Sequence, residues 1–535
     1  MNNVMQPAEL TRMAAGEALR SSPGPTVKNP RAMAQMLKAL HQVCYVVTNE
    51  TGLGLSQSPP GSGAQLLAVL PKMMPEQFGA ESFRRDHGLK YAYMSGAMAK
   101  GIAGEDLVIA LGKQGFLGCF GAGALPLPRV EEAINRIQKA LPAQPYAFNF
   151  LHSPRKLAKE DATADLYLKY GVKTVEASSY IGLTPSIVRY RLAGLSERAD
   201  GSVAISNRII VKVSRVELAA LFMQPPDRSI VAHLLDQKRI TPLQAKLSER
   251  VPVADDITVE ADSGGHTDNR PLSVVLPAML KLRDRMQQTH RYPTPVRIGA
   301  AGGIATPRAV LGAFTMGADY VVTGSVNQSC VEAQTSGAVK KLLAKVGLAD
   351  LAMAPESDMF EYGYKVQTVK QGSLYPMRAQ KLSDTYHKYD GLHAIPAQEK
   401  ANLERQIFKD TLENVWDQTA LFLAGRNQHE EIARAENPKV KMALTFKWYL
   451  GQSSVWAVQG APDRQLDYQI WCGPAMGAFN DWAQGTYLES PANRRVADVA
   501  RVLMQEAAYT FRLQQLNLLG LSDLVAALPA VRQPS

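Results

Sequence analysis

VEADSGGHTDNRP, residues 259–271, begins as a strand-like run and ends in glycines beside a histidine, His266. Two later stretches share this form, IGAAGGI at residues 298–304 and YVVTGSVNQ at residues 320–328. A short apolar or β-branched run that ends in glycine is typical of a buried parallel strand entering a tight loop. Glycine lets the backbone approach a ligand closely, and its N–H groups can point at a phosphate. These three loops are therefore the predicted functional site.

The pattern around these loops predicts parallel βα units, because strand-like runs alternate with amphipathic helical stretches from residue 89 onward. The eight strand candidates are residues 91–96, 116–120, 146–151, 174–177, 209–213, 258–261, 296–300 and 320–323. The clearest helix begins at residue 129, and its apolar face carries Val130, Ala133, Ile134, Ile137 and Leu141. Eight units of this size predict an α/β fold of the TIM-barrel type. A doubly wound open sheet is the alternative, since strand count alone does not show closure.

Composition and periodicity divide the chain into four segments. Residues 1–30 have little periodicity and predict a loosely ordered lead-in, and residues 31–88 predict a small N-terminal layer. Residues 89–349 form the predicted barrel, and residues 350–535, which hold all five tryptophans, predict a mainly helical C-terminal unit. About forty residues, 220–256, stand where a barrel needs only one helix. They predict an inserted helical segment that covers the barrel mouth, because it leads into the His266 strand.

The composition excludes several classes of protein. The chain has no apolar run long enough to cross a membrane and no signal-peptide pattern, so we expect a cytoplasmic protein. Its four cysteines are scattered without a CxxC pair, which argues against a disulfide framework or a metal site. The net charge of +10 favours an acidic partner. The basic residues are spread out with no nucleic-acid-binding motif, so an acidic protein or a phosphorylated cofactor is expected rather than nucleic acid.

Two neighbouring glycine loops predict a phosphate site. Gly302 and Gly303 precede a helix N-terminus, where free N–H groups and the helix dipole favour an anion. Gly324 and Ser325 form a second donor loop at the next strand end. No GxGxxG motif follows a first strand, which favours a mononucleotide such as FMN over a dinucleotide. The alternative is that these glycines only make tight turns.

Residues of three other strands point toward the same end of the barrel. Gly96, Ala97 and Met98 form a small apolar loop against which a flat ring can lie, and Asn149 ends the third strand. Lys212 lies within the apolar run 210–213, where a lysine needs a partner. We expect that partner to be a flavin edge or phosphate, or else a salt bridge with Glu176 or Glu260.

His266 is the candidate catalytic residue, because it lies in a loop and imidazole donates protons near neutral pH. Glu260 and Asp262 share one face of the preceding strand, and one of them is expected to orient the ring. The alternative for His266 is a hydrogen-bonded loop role. The following residues 268–270 fit loop and helix-cap chemistry as well as substrate contact.

Seven motifs together resemble the PfaD family, which are standalone flavin enoyl reductases that act in trans on polyunsaturated-fatty-acid and modular polyketide synthases. They are EADSGGHTDNRP (260–271), GAAGGI (299–304), TGSVNQ (323–328), SGAMAKGIA (95–103), KVSRVE (212–217), KMALTFKWYLGQSS (441–454) and DYQIWCGPAMGAFN (467–480). The resemblance runs from about residue 83 to about residue 518 and includes the insertion and the helical unit. The chain departs from the family pattern at residues 355–364, where smaller or more apolar residues are usual.

The barrel part is also similar to nitronate monooxygenases and to flavin-type enoyl-ACP reductases. That likeness implies a reaction centre at His266 and an FMN site made by Gly96, Ala97, Met98, Asn149, Lys212, Gly264, Gly265, Gly302, Gly303, Gly324 and Ser325.

The resemblance implies an enzyme that passes a hydride from NADPH or NADH, through FMN, to the β-carbon of a 2-enoyl thioester on an acyl carrier protein. Two alternatives stay open. One is a nitronate monooxygenase-type oxygenase with the same histidine as a base, and the other is a non-catalytic docking subunit of the synthase. The pathway, the nicotinamide preference and the oligomeric state, including a homodimer, are not distinguished at this level.

Overall fold

A computed structural model of the chain describes residues 24–152, 157–357 and 359–529. The first 23 residues of the predicted lead-in lie outside this range. The strands, in chain order, are β1 (Cys44–Asn49), β2 (Gly52–Ser56), β3 (Ala64–Leu70), β4 (Tyr93–Ser95), β5 (Leu117–Phe120), β6 (Ala147–Leu151), β7 (Thr174–Ser178), β8 (Leu195–Glu197), β9 (Val203–Ile205), β10 (Arg208–Val213), β11 (Asp256–Glu260), β12 (Arg297–Ala301), β13 (Tyr320–Thr323), β14 (Leu351–Pro355) and β15 (Lys365–Val369).

The centre of the molecule is a closed barrel of eight parallel strands in the order β10-β11-β12-β13-β4-β5-β6-β7. Each of the eight predicted strands is present within two residues of its expected bounds. Closure excludes the open doubly wound sheet, so the TIM-barrel prediction is confirmed. All eight carboxyl ends meet at one end of the barrel, which is its mouth.

The helices are α1 (Pro30–Lys38), α2 (Glu81–His87), α3 (Glu105–Lys113), α4 (Leu127–Ala140), α5 (Leu157–Lys169), α6 (Pro185–Ala193), α7 (Val216–Met223), α8 (Arg228–Asp236), α9 (Pro242–Ser248), α10 (Leu272–His290), α11 (Pro307–Thr315), α12 (Ser325–Gln328), α13 (Gly337–Leu343), α14 (Tyr375–Lys388), α15 (Ala397–Leu403), α16 (Leu412–Ala424), α17 (His429–Arg434), α18 (Pro438–Gln459), α19 (Ala475–Ala483), α20 (Val496–Leu518) and α21 (Ser522–Ala527). A π-helical turn, Glu404–Phe408, directly follows α15.

Local sequence accounts for the helix bounds and their buried faces. The predicted apolar face of α4 is buried against the barrel. The Thr306 side chain caps α11 by accepting from the N–H of Ala309, and Pro307 stands at the first helical position. Gly317, at φ +100°, lies just beyond the end of that helix, in a conformation that other residues adopt only with strain.

The barrel interior is filled by large side chains that need small neighbours. The Tyr320 ring stacks on Phe83 with ring centroids 4.1 Å apart, and its hydroxyl pairs with Thr258 at 2.8 Å. A Cβ added to Gly299 would lie 2.2 Å from the Tyr320 ring, so glycine is required there. Below this layer, buried Asp256 pairs with Arg297 and with His87. These side chains lie at the end of the barrel opposite the mouth.

The N-terminal layer is an antiparallel sheet of order β2-β1-β3 with α1 beside it. Arg512 of the distant helix α20 connects this layer to the rest of the molecule. Its buried guanidinium donates to the carbonyls of Leu37, Ala39, Leu40, Gln42 and Pro71 at 2.6–3.3 Å.

The inserted segment does not cover the barrel mouth, and that prediction was wrong. Helix α8 packs against α6, and α9 packs against β8, whose hairpin with β9 joins the end of α6 to the start of β10. Arg250 donates to the carbonyl of Gly201 in this hairpin at 2.8 Å. The insertion therefore lies beside the amino ends of the strands, because the chain must return to that end before β11 begins.

The C-terminal unit is mainly helical, as predicted, but it has two kinds of core. Residues from β14 to α18 share a separate apolar cluster, which includes Phe360, Tyr375, Phe408 and Tyr449. Helices α19 and α20 instead belong to the barrel's own core, where α20 packs against α11 and α3. The β14–β15 hairpin was not predicted. The four domain boundaries themselves stay predictions.

Candidate active site

The two predicted phosphate loops lie side by side, because β12 and β13 are adjacent strands. Gly302 and Gly303 follow β12 with φ +88° and +75°, and Gly324 follows β13. A Cβ added to Gly303 or to Gly324 would meet nothing within 4 Å, whereas one at Gly302 would lie 2.7 Å from the Ala261 carbonyl carbon. Two backbone loops thus border open space at the mouth, and this arrangement fits a phosphate group.

A buried polar network holds the second of these loops. Asn327 Nδ2 donates to Ser95 Oγ and to Thr323 Oγ1, both at 2.8 Å, and Tyr93 pairs with the same threonine hydroxyl at 2.6 Å. These contacts join β4 to β13 beneath Gly324. Asn327 was inside a quoted motif but had no predicted role, because only the tertiary structure brings Ser95 to it.

Lys212 lies inside the mouth between two carboxylates. Its Nζ atom is 3.4 Å from Glu176 Oε1 and 3.7 Å from Glu260 Oε1, so the predicted salt-bridge alternative is present with both partners. Burial alone lowers the pKa of Lys212, but the charges of Glu260 and Glu176 outweigh it and raise that pKa. The lysine is therefore charged, and its side chain keeps 19% of its surface accessible for a further anionic partner.

The first loop and the third strand meet the same carboxylate. Ala97 N–H donates to Glu176 Oε2 at 2.8 Å, and Gly96 N–H donates to the Thr323 carbonyl at 3.0 Å. Asn149 uses its amide nitrogen to donate to the Glu176 carbonyl and to Ser178 Oγ. The structure therefore brings Gly96, Ala97, Asn149 and Lys212 together around Glu176, which sequence reasoning named only as a salt-bridge partner.

His266 lies in the loop after β11, as predicted, and the structure shows that it is exposed. The expected orientation by Glu260 or Asp262 was wrong. Glu260 Oε1 accepts from Ser263 and faces Lys212, while Asp262 Oδ1 accepts from Asn269 at 2.8 Å. The ring instead contacts Trp471 of the C-terminal unit, with ring centroids 5.2 Å apart and planes at 89°.

Asp268 connects the His266 loop to the loop after β10. Both of its oxygens accept from Arg215 at 3.0 Å, and Ser214 Oγ donates to it at the same distance. These hydrogen bonds, led by those from Arg215, lower the pKa of Asp268. Loop chemistry thus accounts for Asp268.

Gly264 and Ser325 contact a segment that the sequence analysis did not assign to the site. A Cβ at Gly264 would lie 2.7 Å from the backbone nitrogen of Cys472, and Gly473 N–H donates to Ser325 Oγ at 3.0 Å. A Cβ at Gly265 would lie 2.6 Å from Glu260 Oε1. Gly264, which faces backbone, is therefore needed for close packing against this segment. The motif DYQIWCG was visible in the sequence, but its position at the mouth was not.

Within the part of the chain that the structure describes, no group of three or more His, Cys, Asp and Glu side chains is arranged to hold a metal ion. The same residues include no helix that is both long and apolar enough to cross a membrane. All four cysteines are unpaired and buried, and burial raises the pKa of the Cys472 thiol to about 12.

Comparison with known proteins agrees with this geometry. The nitronate monooxygenase family model matches residues 86–359. A crystal structure of the enoyl reductase domain of MlnA, from the macrolactin biosynthesis cluster of Bacillus amyloliquefaciens, superposes with a TM-score of 0.79 and is 42% identical. This match covers 83% of the present chain and 99% of that domain. The chain belongs to the PfaD family. Its PfaD-type helical unit also matches, over residues 389–468, the inserted helical domain of [acyl-carrier-protein] S-malonyltransferase.

Relatives of this PfaD-family chain are named for polyunsaturated fatty acid synthesis and polyketide biosynthesis. One subunit of the polyunsaturated fatty acid synthase of Thraustochytrium sp. is 45% identical over 517 residues, which are 96% of this chain and 34% of that relative. The polyketide biosynthesis protein PksE of Bacillus subtilis is 44% identical over 435 residues, 81% of this chain and 56% of PksE. The PfaD-family chain therefore spans about a third to a half of the length of these relatives.

Proposed function

We propose that the protein is an FMN-dependent enoyl reductase that saturates the 2,3 double bond of enoyl thioesters on an acyl carrier protein. The supporting observation is the open cradle at Gly303 and Gly324, which lies in the same barrel mouth as the charged Lys212 and the exposed His266. The enoyl reductase domain of MlnA, at 42% identity, supports the same reaction type.

The residues at the mouth fit a flavin mononucleotide. Backbone N–H groups at Gly303, Gly324 and Ser325 would hold its phosphate, and Lys212 would face its polar edge. The apolar loop from Gly96 to Met98 would support the ring. When bound, FMN supplies a two-electron carrier between NADPH or NADH and the double bond of the substrate.

His266 would complete the reduction. Adding a hydride to the β-carbon breaks the carbon–carbon π bond and places negative charge on the thioester oxygen, and a proton must then reach the α-carbon. The exposed imidazole at the mouth can donate that proton or hydrogen-bond the oxygen. One hydride and one proton are consumed for each double bond reduced.

An acyl carrier protein is the proposed carrier of the substrate. The net charge of +10 favours acidic partners, and residues 389–468 match a helical domain of an enzyme named for its action on such a carrier. Relatives from polyunsaturated fatty acid and polyketide synthases both support this partner class. Which synthase supplies it, and whether the protein is a homodimer, stay predictions.

The test is an anaerobic reoxidation experiment. The FMN-loaded protein is reduced with NADPH and mixed with crotonyl thioester on a carrier protein, and the flavin absorbance is followed. We expect rapid return of the oxidised spectrum together with butyryl product. His266→Ala is expected to slow this step by about 10²- to 10⁴-fold, the usual contribution of a general acid. His41→Ala, which removes another exposed histidine, is the matched control.

The match of residues 86–359 to nitronate monooxygenase supports a second candidate, a flavin oxygenase. In that case the reduced flavin stays reduced with crotonyl thioester and is reoxidised only when oxygen is admitted. A fully active His266→Ala variant would contradict the role proposed for His266.

A further inference from the structure

A segment of the C-terminal unit, residues 470–473, crosses the mouth of the barrel, and we call it the strap. It runs antiparallel to β15, with an isolated bridge between Trp471 and Thr368. Val369 N–H donates to the Ile470 carbonyl at 3.0 Å, and Cys472 N–H donates to the Gln367 carbonyl at 3.1 Å. The strap is therefore held by backbone hydrogen bonds to β15.

The strap packs against the His266 loop without side chains between the two backbones. A Cβ at Gly264 would lie 2.7 Å from Cys472 N, and a Cβ at Gly473 would lie 2.9 Å from Ser263 Cα. Glycine on both sides permits this close approach. Since Gly473 N–H also donates to Ser325 Oγ, the strap contacts two neighbouring loops of the mouth.

Trp471 is the strap residue that contacts His266. The two rings meet edge to face, a favoured arrangement for aromatic pairs. The indole is held by Gln469. In the orientation of the Gln469 amide that matches its hydrogen-bond neighbours, the amide oxygen accepts from Trp471 Nε1 at 3.1 Å and from Tyr375 OH at 2.9 Å. Gln469 is buried, so the indole orientation is set from within the helical unit.

Among the described residues, the imidazole of His266 has no hydrogen-bond partner, and Trp471 supplies its aromatic contact. We propose that Trp471 is a positioning residue for His266, so that the reaction site is completed by the C-terminal unit rather than by the barrel alone. A contact to a fixed indole restricts the ring to the geometry that proton donation requires. This inference rests on the proposed role of His266.

The test compares three variants of the FMN-loaded protein. Trp471→Ala removes the contact, Trp471→Phe keeps a smaller aromatic ring, and Trp448→Phe is the control. Trp448 belongs to the same unit but packs against Phe408 and Trp456 instead. Steady-state turnover with crotonyl thioester gives kcat and KM. Independently, NMR of ¹³C-labelled histidine, with the His266 signal assigned by His266→Gln, reports the ring-current shift from the indole.

We expect Trp471→Ala to lower kcat on the order of 10²-fold, the cost of misplacing a catalytic group by about 1 Å. KM and the FMN affinity are expected to change much less. The His266 signal should lose its ring-current shift. Trp471→Phe should restore kcat to within about threefold, because an aromatic contact is retained, and Trp448→Phe should change neither measurement.

The two measurements separate this inference from the proposed function. An unchanged His266 signal in Trp471→Ala overturns the inference, and so does a kcat equal to that of Trp448→Phe in a protein that reduces the thioester. If the wild-type protein does not reduce the thioester at all, the proposed function fails. A ring-current shift that depends on Trp471 would then still support the positioning contact.

Discussion

Lys212 is a lysine in an apolar strand that is stabilised by two carboxylates. A lysine within the apolar strand β10 requires a partner, and Glu176 and Glu260 both lie within 4 Å of its Nζ atom. Because these carboxylates raise the pKa of Lys212, it is charged across the physiological range. Sequence analysis named all three residues, and the pairing of β10 with both β7 and β11 places Glu176 and Glu260 on neighbouring strands on either side of the lysine.

Gly324 gives a direct test of the proposed phosphate cradle. Gly324→Ala adds a methyl group where nothing lies within 4 Å, so the flavin-free protein should keep its free energy of unfolding within about 1 kcal/mol. The affinity for FMN should fall at least about tenfold, or roughly 1.4 kcal/mol, because the methyl group takes space needed by the phosphate. Fluorescence titration of the flavin-free protein with FMN measures this change.

Gly337→Ala is the matched control, because Gly337 begins α13 and an added Cβ there also meets nothing within 4 Å. Equal FMN affinities for the two variants would rule out Gly324 as part of the cradle.

At the scale of secondary-structure elements, a salt bridge joins the amino ends of β11 and β12. Asp256 begins β11 and accepts from Arg297, the first residue of β12, at 2.5 and 3.0 Å, and from His87 of α2 at 2.8 Å. Burial alone raises the pKa of Asp256, but Arg297 and His87 outweigh it and hold that pKa well below its usual range. The cluster therefore binds α2 to the barrel floor.

This cluster predicts a specific acid dependence of stability. The folded-state pKa of Asp256 lies below its unfolded value of about 3.9. Ionised Asp256 therefore makes its full contribution to the free energy of unfolding at pH values above about 3.9. The contribution is lost as the pH falls below it, because the unfolded chain then binds the extra proton. Asp256→Asn should cost about 3 kcal/mol at pH 7, since it leaves Arg297 with one fewer buried charge partner. It should also flatten the loss of stability between about pH 4 and pH 2.

Urea unfolding at a series of pH values measures both effects. Asp284→Asn, at an exposed aspartate on α10, is the control and should follow the wild-type curve. If Asp256→Asn loses stability between about pH 4 and pH 2 as steeply as the wild type, other carboxylates account for the acid dependence.

The elements also explain why the insertion was misplaced. Length alone indicated that residues 220–256 exceed one crossover helix, and this excess is present as α8 and α9. The direction in which it packs depends on α6 and on the β8–β9 hairpin, which lie at the other end of the barrel. Such contacts have no local sequence pattern.

At the scale of the whole molecule, Arg512 joins the first and last parts of the described chain. Its guanidinium is fully buried and donates to backbone carbonyls between residues 37 and 71. A buried charge of this kind is stabilised only while its acceptors stay in place. We therefore expect the stability of the N-terminal layer to depend on its contact with α20.

Arg512→Met tests this coupling. We expect a loss of about 3 kcal/mol in the free energy of unfolding, because five carbonyls lose their donor. Hydrogen exchange should become faster in β1 and β3, while the barrel strands β10 to β12 stay protected. Arg501→Met changes a more exposed arginine on the same helix and should leave both regions unchanged. Equal acceleration in the layer and the barrel would contradict a local role for Arg512.

Much of this molecule was determined by its sequence alone. Each barrel strand is a short, mainly buried run between helical stretches, and this alternation predicted all eight strands. The loops with Gly303, Gly324 and His266 were predicted from residue type. Glycine lets the backbone approach a ligand closely, and the imidazole of histidine can donate a proton near neutral pH. The motifs that mark the PfaD family extended the prediction to the helical unit.

Only the tertiary structure decided how the barrel closes, where the insertion packs and which residue contacts His266. Trp471 is some 200 positions away from His266 in the sequence, and Arg512 is farther still from the carbonyls that it binds. These contacts depend on long-range packing and on steric fit at positions such as Gly264 and Gly299. Local periodicity carries no information about them, because it reports which face of an element is buried and not which distant element covers it.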